Sequence, residues 1–242
     1  MSSRLTRILV TGADGIMGTA LRPYFPHATF APKADLDVGD AGSVKRFFSG
    51  QSFDLVIHAG AVTSNRADPA AYCQVNIVGT ANILHHTRKV GGRFVYLSSD
   101  YCLPGTGLHK ETDPVFPVNT YAWSKLGGEC VAQTYENSLI VRGSWYSEMR
   151  FTKAATDAFH SKLPVADAAR YLFGLATSDA TGIVHMAGTR QSYFETISMH
   201  NPKVSPCSVT EVLLPYPLPL DSSLDTTRMR NLLGRSYGFG RK

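Results

Sequence analysis

No apolar stretch in the 242 residues approaches the ~20 needed for a membrane-spanning helix, so no membrane partner is expected. The first residues, Met1-Ser2-Ser3-Arg4, run straight into a strand-like segment. They lack the apolar core and small-residue cleavage site of a signal peptide. Cysteine is scarce: Cys73, Cys102, Cys130 and Cys207 lie far apart and form no C-x-x-C pair. That usage suits a reducing cytosol and offers no zinc site. The eight histidines include no H-E-x-x-H, and there is no G-x-S-x-G nucleophile elbow. The expectation is a cytoplasmic protein with no resident metal.

Charge is sparse too, at 18% of residues, while the apolar fraction of 43% is that of a globular chain. This composition argues against intrinsic disorder. Twenty-four lysines and arginines against nineteen acids leave a net +5, and the whole excess falls in residues 228–242. There Arg228, Arg230, Arg235, Arg241 and Lys242 meet no acid, so the body of the chain is neutral. Aromatic residues are scattered and make no base-stacking pattern, so no nucleic-acid partner is expected. The basic tail reads as a solvated end, and trimming after Gly234 is expected to leave the fold intact.

What is present is an alternation. Arg7–Thr11, Ala28–Ala31, Phe53–Ala59, Arg93–Ser98, Ser138–Arg142 and Gly182–Ala187 read as short strands, with a further extended piece in Ala34–Val38. Gly18–Tyr24, Gly42–Phe48, Pro69–Val90, Tyr121–Tyr135 and Val165–Leu175 carry helical spacing. Strands alternating with helices predict an α/β fold of the doubly wound Rossmann type, with helices on both faces of a parallel sheet. From Trp145 the pattern loosens. Five prolines across residues 191–220 predict little regular structure there.

The first strand ends in Val10-Thr11-Gly12-Ala13-Asp14-Gly15-Ile16-Met17-Gly18, a G-x-x-G-x-x-G loop opening a helix. One glycine permits the tight turn, one lets a pyrophosphate approach the backbone, and one lets helix and strand pack closely. In that context the loop points to dinucleotide binding. The spacing resembles that of the extended short-chain dehydrogenase/reductase superfamily. That resemblance brings further residues into a cofactor site: Asp37 and Val38 at the adenine, Ala59, Gly60 and Ala61 at a strand end, and Asn76 in an N-x-x-G-T motif. The acid expected after the second strand is absent and Lys33 follows instead. A lysine there pairs with a 2′-phosphate and favours NADP(H) over NAD(H).

Tyr121-Ala122-Trp123-Ser124-Lys125 is Y-x-x-x-K, with both side chains on one helix face. A tyrosine near pKa 10 is a poor base at neutral pH, and a nearby ammonium eases its ionisation. The strand before it ends Ser98-Ser99-Asp100-Tyr101, which places Ser99 to bind a carbonyl. Together these resemble the superfamily's Ser-Tyr-Lys set: Tyr121, Lys125 and Ser99 as catalytic residues, with Ser98, Tyr121 and Lys125 also at the cofactor.

The run from Ser98 to Tyr101, Asn119, the Tyr121–Glu129 helix and Leu139–Tyr146 resemble the dTDP-4-dehydrorhamnose reductase family more narrowly. The resemblance implies reduction of a keto group on a nucleotide-linked 4-keto-6-deoxy sugar. It places Ser99, Asp100, Tyr101, Asn119 and Trp145 beside the substrate. It also implies a division into an NAD(P)-binding domain (1–146 and about 164–190) and a small substrate lobe and tail (147–163 and 191–242).

The chain departs from that family in two ways: the lobe is shortened, and serine stands where threonine is usual. Two alternatives stay open. One is an NADP-binding regulatory subunit without turnover, like the β subunit of methionine adenosyltransferase. The other is a reductase of a non-sugar ketone in secondary metabolism. A homodimer is left open.

Overall fold

A computed structural model describes residues 5–63, 67–148, 151–212 and 216–239. The N-terminal Met1–Arg4 segment and the tail residues Arg241 and Lys242 lie outside them. The first half runs β1 (Ile8–Thr11), α1 (Ile16–Leu21), β2 (Thr29–Ala31), α2 (Ala41–Phe47), β3 (Leu55–His58), α3 (Pro69–Tyr72), a π-helical stretch (Cys73–Val78), α4 (Gly79–Lys89), β4 (Arg93–Leu97), α5 (Thr120–Gln133) and β5 (Ser138–Arg142). The second runs β6 (Trp145–Tyr146), β7 (Lys153–Ala155), β8 (Phe159–His160), β9 (Leu163–Pro164), α6 (Val165–Ala176), β10 (Gly182–His185), β11 (Gln191–Ser192), α7 (Tyr193–Ser198), β12 (Ser205–Cys207) and α8 (Thr227–Leu233).

Six strands form one sheet in the order β10-β5-β4-β3-β1-β2, and every pairing in it is parallel. Successive side chains of a strand point to opposite faces. Val10, Leu55, Ile57, Val95, Leu97, Leu139 and Val141 therefore meet α1, α6 and α8 on one side. Leu9, Val56, Phe94, Tyr96 and Ile140 meet α2, α4 and α5 on the other. The fold is thus a doubly wound α/β sheet of Rossmann type. Winding reverses beside β1, since β2 lies on one flank of it and β3 on the other. Ligands of such sheets bind in the crevice at the carboxyl ends of the strands at that reversal.

Beyond β5 the chain makes three two-stranded ribbons. β6 with β9 and β7 with β12 are parallel, and β8 with β11 is antiparallel. Among the described residues no helix is long and apolar enough to cross a membrane.

Several expectations need correction. Ala34–Val38 is a turn, because the Pro32 carbonyl accepts the amides of Asp35 and Leu36 and closes the backbone on itself. Helix α1 starts two residues before Gly18 and stops short of Pro23, which cannot continue it. The Pro69–Val90 helix is real but carries the π-helical stretch in its middle. Residues 191–220 hold a helix, since all five prolines fall at or after Pro202. Upstream, Ser192 and Glu195 form a reciprocal capping box that starts α7.

As far as Phe239 the tail is not a solvated end. Arg228 donates to the carbonyls of Ile183 and Thr181, and Met229 and Leu233 are buried in the first core. Past Gly234, the Tyr237 ring packs over Gly174 and Tyr171, and Phe239 stands 5.3 Å from Tyr171. A cut after Gly234 strips both aromatics from α6, so the fold extends beyond the point chosen for trimming.

Candidate active site

The crevice begins at the glycine loop. Gly12 has φ +67°, and a Cβ on it would fall 2.7 Å from the Gly60 backbone. Both facts restrict the position to glycine. At Gly18 a Cβ would fall 2.4 Å from the Gly12 carbonyl, so this glycine lets α1 sit against the loop. Between the loop and the ends of β2 and β3 lies a groove of about 220 Å³. Gly12, Asp14, Gly15, Lys33, Asp37, Val38, Ala59, Gly60 and Ala61 line it, and so do Leu36, Val62 and Val75, which no motif singled out.

Other candidates lie elsewhere. The Ile16 side chain is exposed outside the groove lining, and Met17 is buried in the first core. Ser98 turns its hydroxyl to Glu129 Oε2 at 2.9 Å and is also out of the groove. Lys33 Nζ stands 3.8 Å from Asp37 Oδ2 with its side chain 81% exposed, a pairing of little strength.

Asn76 lies in the π-helical stretch, where its side chain is buried. Oδ1 accepts the Val62 amide at 2.8 Å. Nδ2 donates to Val62 O at 3.0 Å and to Ser124 Oγ at 2.8 Å. Ser124 in turn donates to the Tyr121 carbonyl at 2.7 Å. One amide thus ties the groove wall to the helix that carries the tyrosine.

His58 forms the other tie. Thr11 Oγ1 accepts the Gly60 amide at 3.1 Å and shares a hydrogen bond with His58 Nδ1 at 2.8 Å. The ring's Nε2 is buried without a hydrogen-bond partner. Burial first, then the Lys125 charge, holds the imidazole pKa down to about 3. His160 is held down to about 3 in the same way, by burial and Lys162. In the unfolded chain both rings take up protons near pH 6.5. Above that pH they leave stability unchanged. As pH falls from about 6.5 toward 3 the unfolded state gains the protons, and stability drops by up to ~1.4 kcal/mol per pH unit per ring. Urea midpoints between about pH 7 and about pH 5 are expected to fall less steeply in His58→Asn than in the parent chain.

Tyr121 sits in the first turn of α5. Asn119 caps that helix, accepting the Ala122 amide at 2.8 Å, and its other end donates to Pro217 O at 3.1 Å. The residue expected beside the substrate thus spends its amide on holding the helix and a distant loop. The Tyr121 pKa is raised, first by burial and then by Cys102 and Asp100. The Ser99 hydroxyl and the Lys162 charge act the other way. Ser99 Oγ donates to Asp100 Oδ1 at 3.2 Å and accepts the Tyr101 amide at 3.2 Å. Asp100 Oδ2 accepts from Ser144 Oγ at 2.8 Å and Ser222 Oγ at 2.9 Å, which clamps the strand end to two later parts of the chain.

Lys125 is buried, and its ammonium lies 4.4 Å from the centre of the Tyr96 ring. Burial pulls its pKa down to about 8. Tyr121 and Lys125 share a helix face, yet Lys125 turns toward the sheet. Trp145 is half-buried against the first core.

The sequence matches the model of the RmlD substrate binding domain over residues 6–155. The chain belongs to the RmlD substrate binding domain family. Among similar proteins, dTDP-4-dehydrorhamnose reductase of Burkholderia thailandensis is 38% identical over 148 residues, covering 57% of this chain and 50% of that protein. Methionine adenosyltransferase 2 subunit beta of Pongo abelii is 31% identical over 140 residues, covering 51% and 41%. The chain spans about half the length of the curated relatives it matches first. A crystal structure of dTDP-4-dehydrorhamnose reductase from Bacillus anthracis in complex with NADP superposes with a TM-score of 0.84 at 25% identity. It covers 98% of this chain and 94% of that one.

Sequence reasoning missed two features of this RmlD-family chain. Glu129 holds Arg142 in a bidentate buried pair beneath Ser98. Lys162 and Tyr193 stand against Tyr101, with the Tyr101 and Tyr193 hydroxyls 3.5 Å apart. Neither lies in a local motif, because each joins residues from separate parts of the chain.

Proposed function

We propose that this chain is an NADP(H)-dependent reductase of a keto group, acting on a nucleotide-linked 4-keto-6-deoxy sugar. The observation that carries the reading is the glycine groove at the strand ends, tied through Asn76 and Ser124 to the helix that carries Tyr121 and Lys125. The groove fits a dinucleotide: its floor is glycine backbone pinched at Gly12 and Gly60, and its rim carries a lysine. Gly12, Gly15, Ala59, Gly60 and Ala61 would hold it. Bound there, a reduced nicotinamide would supply the hydride.

The remaining work is the protein's. Burial keeps Tyr121 protonated at neutral pH, which suits the donor of a proton to the carbonyl oxygen. Ser99, whose hydroxyl rests on Asp100 Oδ1 here, would swing it to that same oxygen and fix its direction. Lys125 places a buried positive charge under the helix. Lys33, weakly paired to Asp37, is free to turn to a 2′-phosphate, which supports NADP(H) over NAD(H). The relatives named dTDP-4-dehydrorhamnose reductase and the NADP complex support both the substrate class and the cofactor. The ribbons after β5 form the proposed substrate lobe.

The test is consumption of NADPH by the purified chain with a panel of nucleotide-linked 4-keto sugars, followed by its absorbance. Turnover faster with NADPH than NADH is expected. No consumption on any member, with a stoichiometric partner retained on purification, would move the chain to the non-catalytic role of a regulatory subunit.

A further inference from the structure

Lys162 comes from the part of the chain where motifs are thinnest, yet its backbone is held on both sides. β8 pairs with β11 just before it, and β9 pairs with β6 just after it. The Lys162 amide donates to His160 Nδ1 at 3.0 Å, and the next amide, of Leu163, donates to Ser144 O at 3.1 Å. The same ribbon sets Tyr193. Ser192 pairs with Phe159, and the Tyr193 amide donates to Ala158 O at 3.1 Å.

Three side chains converge from these anchors and from the end of β4. Lys162 Nζ lies 3.5 Å from Tyr101 Oη, and 5.6 and 5.5 Å from the ring centres of Tyr101 and Tyr193. The two phenol oxygens are 3.5 Å apart. That exceeds the ~2.5–3.0 Å of a close O–H···O bond, so both hydroxyls keep capacity for a third group. His160 packs its ring 4.5 Å from that of Tyr193. It fixes the phenol ring and the Lys162 amide, and it brings no negative charge to the cluster.

The ammonium has no counter-charge. Among the described residues no carboxylate comes within ion-pair distance of Lys162. Asp100, next to Tyr101 in sequence, spends its oxygens on Ser99, Ser144 and Ser222. Lys162, Tyr101 and Tyr193 are all half-buried, so the cluster stays open to solvent. A partly desolvated cation without an acid costs the fold and gains it no ion pair. An ammonium and two phenol hydroxyls together suit an oxyanion, which takes charge-assisted hydrogen bonds from such donors.

Tyr101 sets the scale of the site. Its amide donates to Ser99 Oγ at 3.2 Å, while its hydroxyl meets Lys162. One tyrosine's length therefore bounds the gap between the Ser99 hydroxyl and the ammonium. In a 4-keto sugar the carbonyl and the glycosidic oxygen stand across one pyranose ring, a span of the same order. We propose that Lys162, with the Tyr101 and Tyr193 hydroxyls, is the subsite for the sugar-linked phosphate of the nucleotide diphosphate. The proposal rests on the keto-sugar reading, because the diphosphate is the one anionic group of such a substrate. Lys162 then determines specificity: it favours the nucleotide-linked sugar over the same sugar free.

The experiment places 3-fluorotyrosine at position 193 of the full chain and follows its fluorine resonance at about pH 7. Pyrophosphate is added with NADP⁺ saturating, so that the glycine groove is occupied. Potassium chloride of equal ionic strength corrects for screening. A saturable shift is expected. Lys162→Met and Lys162→Gln are expected to weaken it by ~10-fold or more, and Lys162→Arg to keep most of it. Near-ultraviolet circular dichroism shows which variants are folded. No saturable shift in the parent chain, or a folded neutral variant that binds as the parent does, overturns the proposal. A shift with acetate and none with pyrophosphate overturns it too, and points to a carboxylate substrate. The readout needs no turnover. A Lys162-dependent shift with no keto sugar reduced keeps the subsite and removes the reductase reading. Reduction of a nucleotide sugar with KM unmoved in Lys162→Gln, and no shift, does the reverse.

Discussion

Replacing Tyr121 with phenylalanine is expected to lower the rate of keto reduction by ~10²–10⁴-fold, the span usual for losing a positioned general acid. A thousandfold loss corresponds to ~4 kcal/mol of transition-state stabilisation. The substitution is close to volume-neutral and leaves the ring 6.3 Å from Tyr72, so the helix and its cap stay in place. What is lost is one half-buried hydroxyl. The loss should therefore fall on kcat, with KM moving little. Single-turnover oxidation of NADPH in parent and variant measures it. A variant that keeps its turnover would show that the proton comes from another group.

The largest expected effect on stability is at Glu129. This carboxylate is 0% exposed and its partner Arg142 is 2% exposed. Glu129 accepts from Arg142 Nε at 3.0 Å, from Arg142 Nη2, and from Ser98 Oγ at 2.9 Å. Glu129→Ala leaves a guanidinium buried with no counter-charge, which costs about 3–5 kcal/mol. For a chain of this size that lowers the melting temperature by roughly 6–20 °C. Removing both charges is a different matter, since it abolishes two desolvation penalties together. Glu129→Leu with Arg142→Met is expected to recover most of the loss. Thermal and urea unfolding of the single and double variants decide it. A single variant within about 1 kcal/mol of the parent would mean that water reaches the pair.

The sheet was legible because its strands are short apolar runs between turns, and alternate residues of each feed opposite cores. The glycine loop and the Tyr121–Lys125 spacing were legible because each lies within a few consecutive residues. What local patterns could not carry was closure between distant segments. Asp100 meets Ser144 and Ser222, Glu129 meets Arg142, and Lys162 meets Tyr101, each across a long sequence separation. Side-chain direction also escaped. Y-x-x-x-K puts tyrosine and lysine on one face, yet the lysine stem carries its charge to Tyr96. Proline misled in both directions. Pro32 closes a turn where extended chain was expected, while the prolines after 201 left the Ser192–Glu195 cap free to start a helix.

The clamp on Asp100 has a consequence for synthesis. The carboxylate leaves the ribosome 122 residues ahead of Ser222, one of the hydroxyls that hold it. Until Ser222 has emerged, Asp100 has only part of its set of partners. The lining of the glycine groove ends at Val75, so all of its residues emerge well before those that clamp Asp100. A product cut before Ser222 would keep every residue of the groove lining and lose part of the clamp on Asp100.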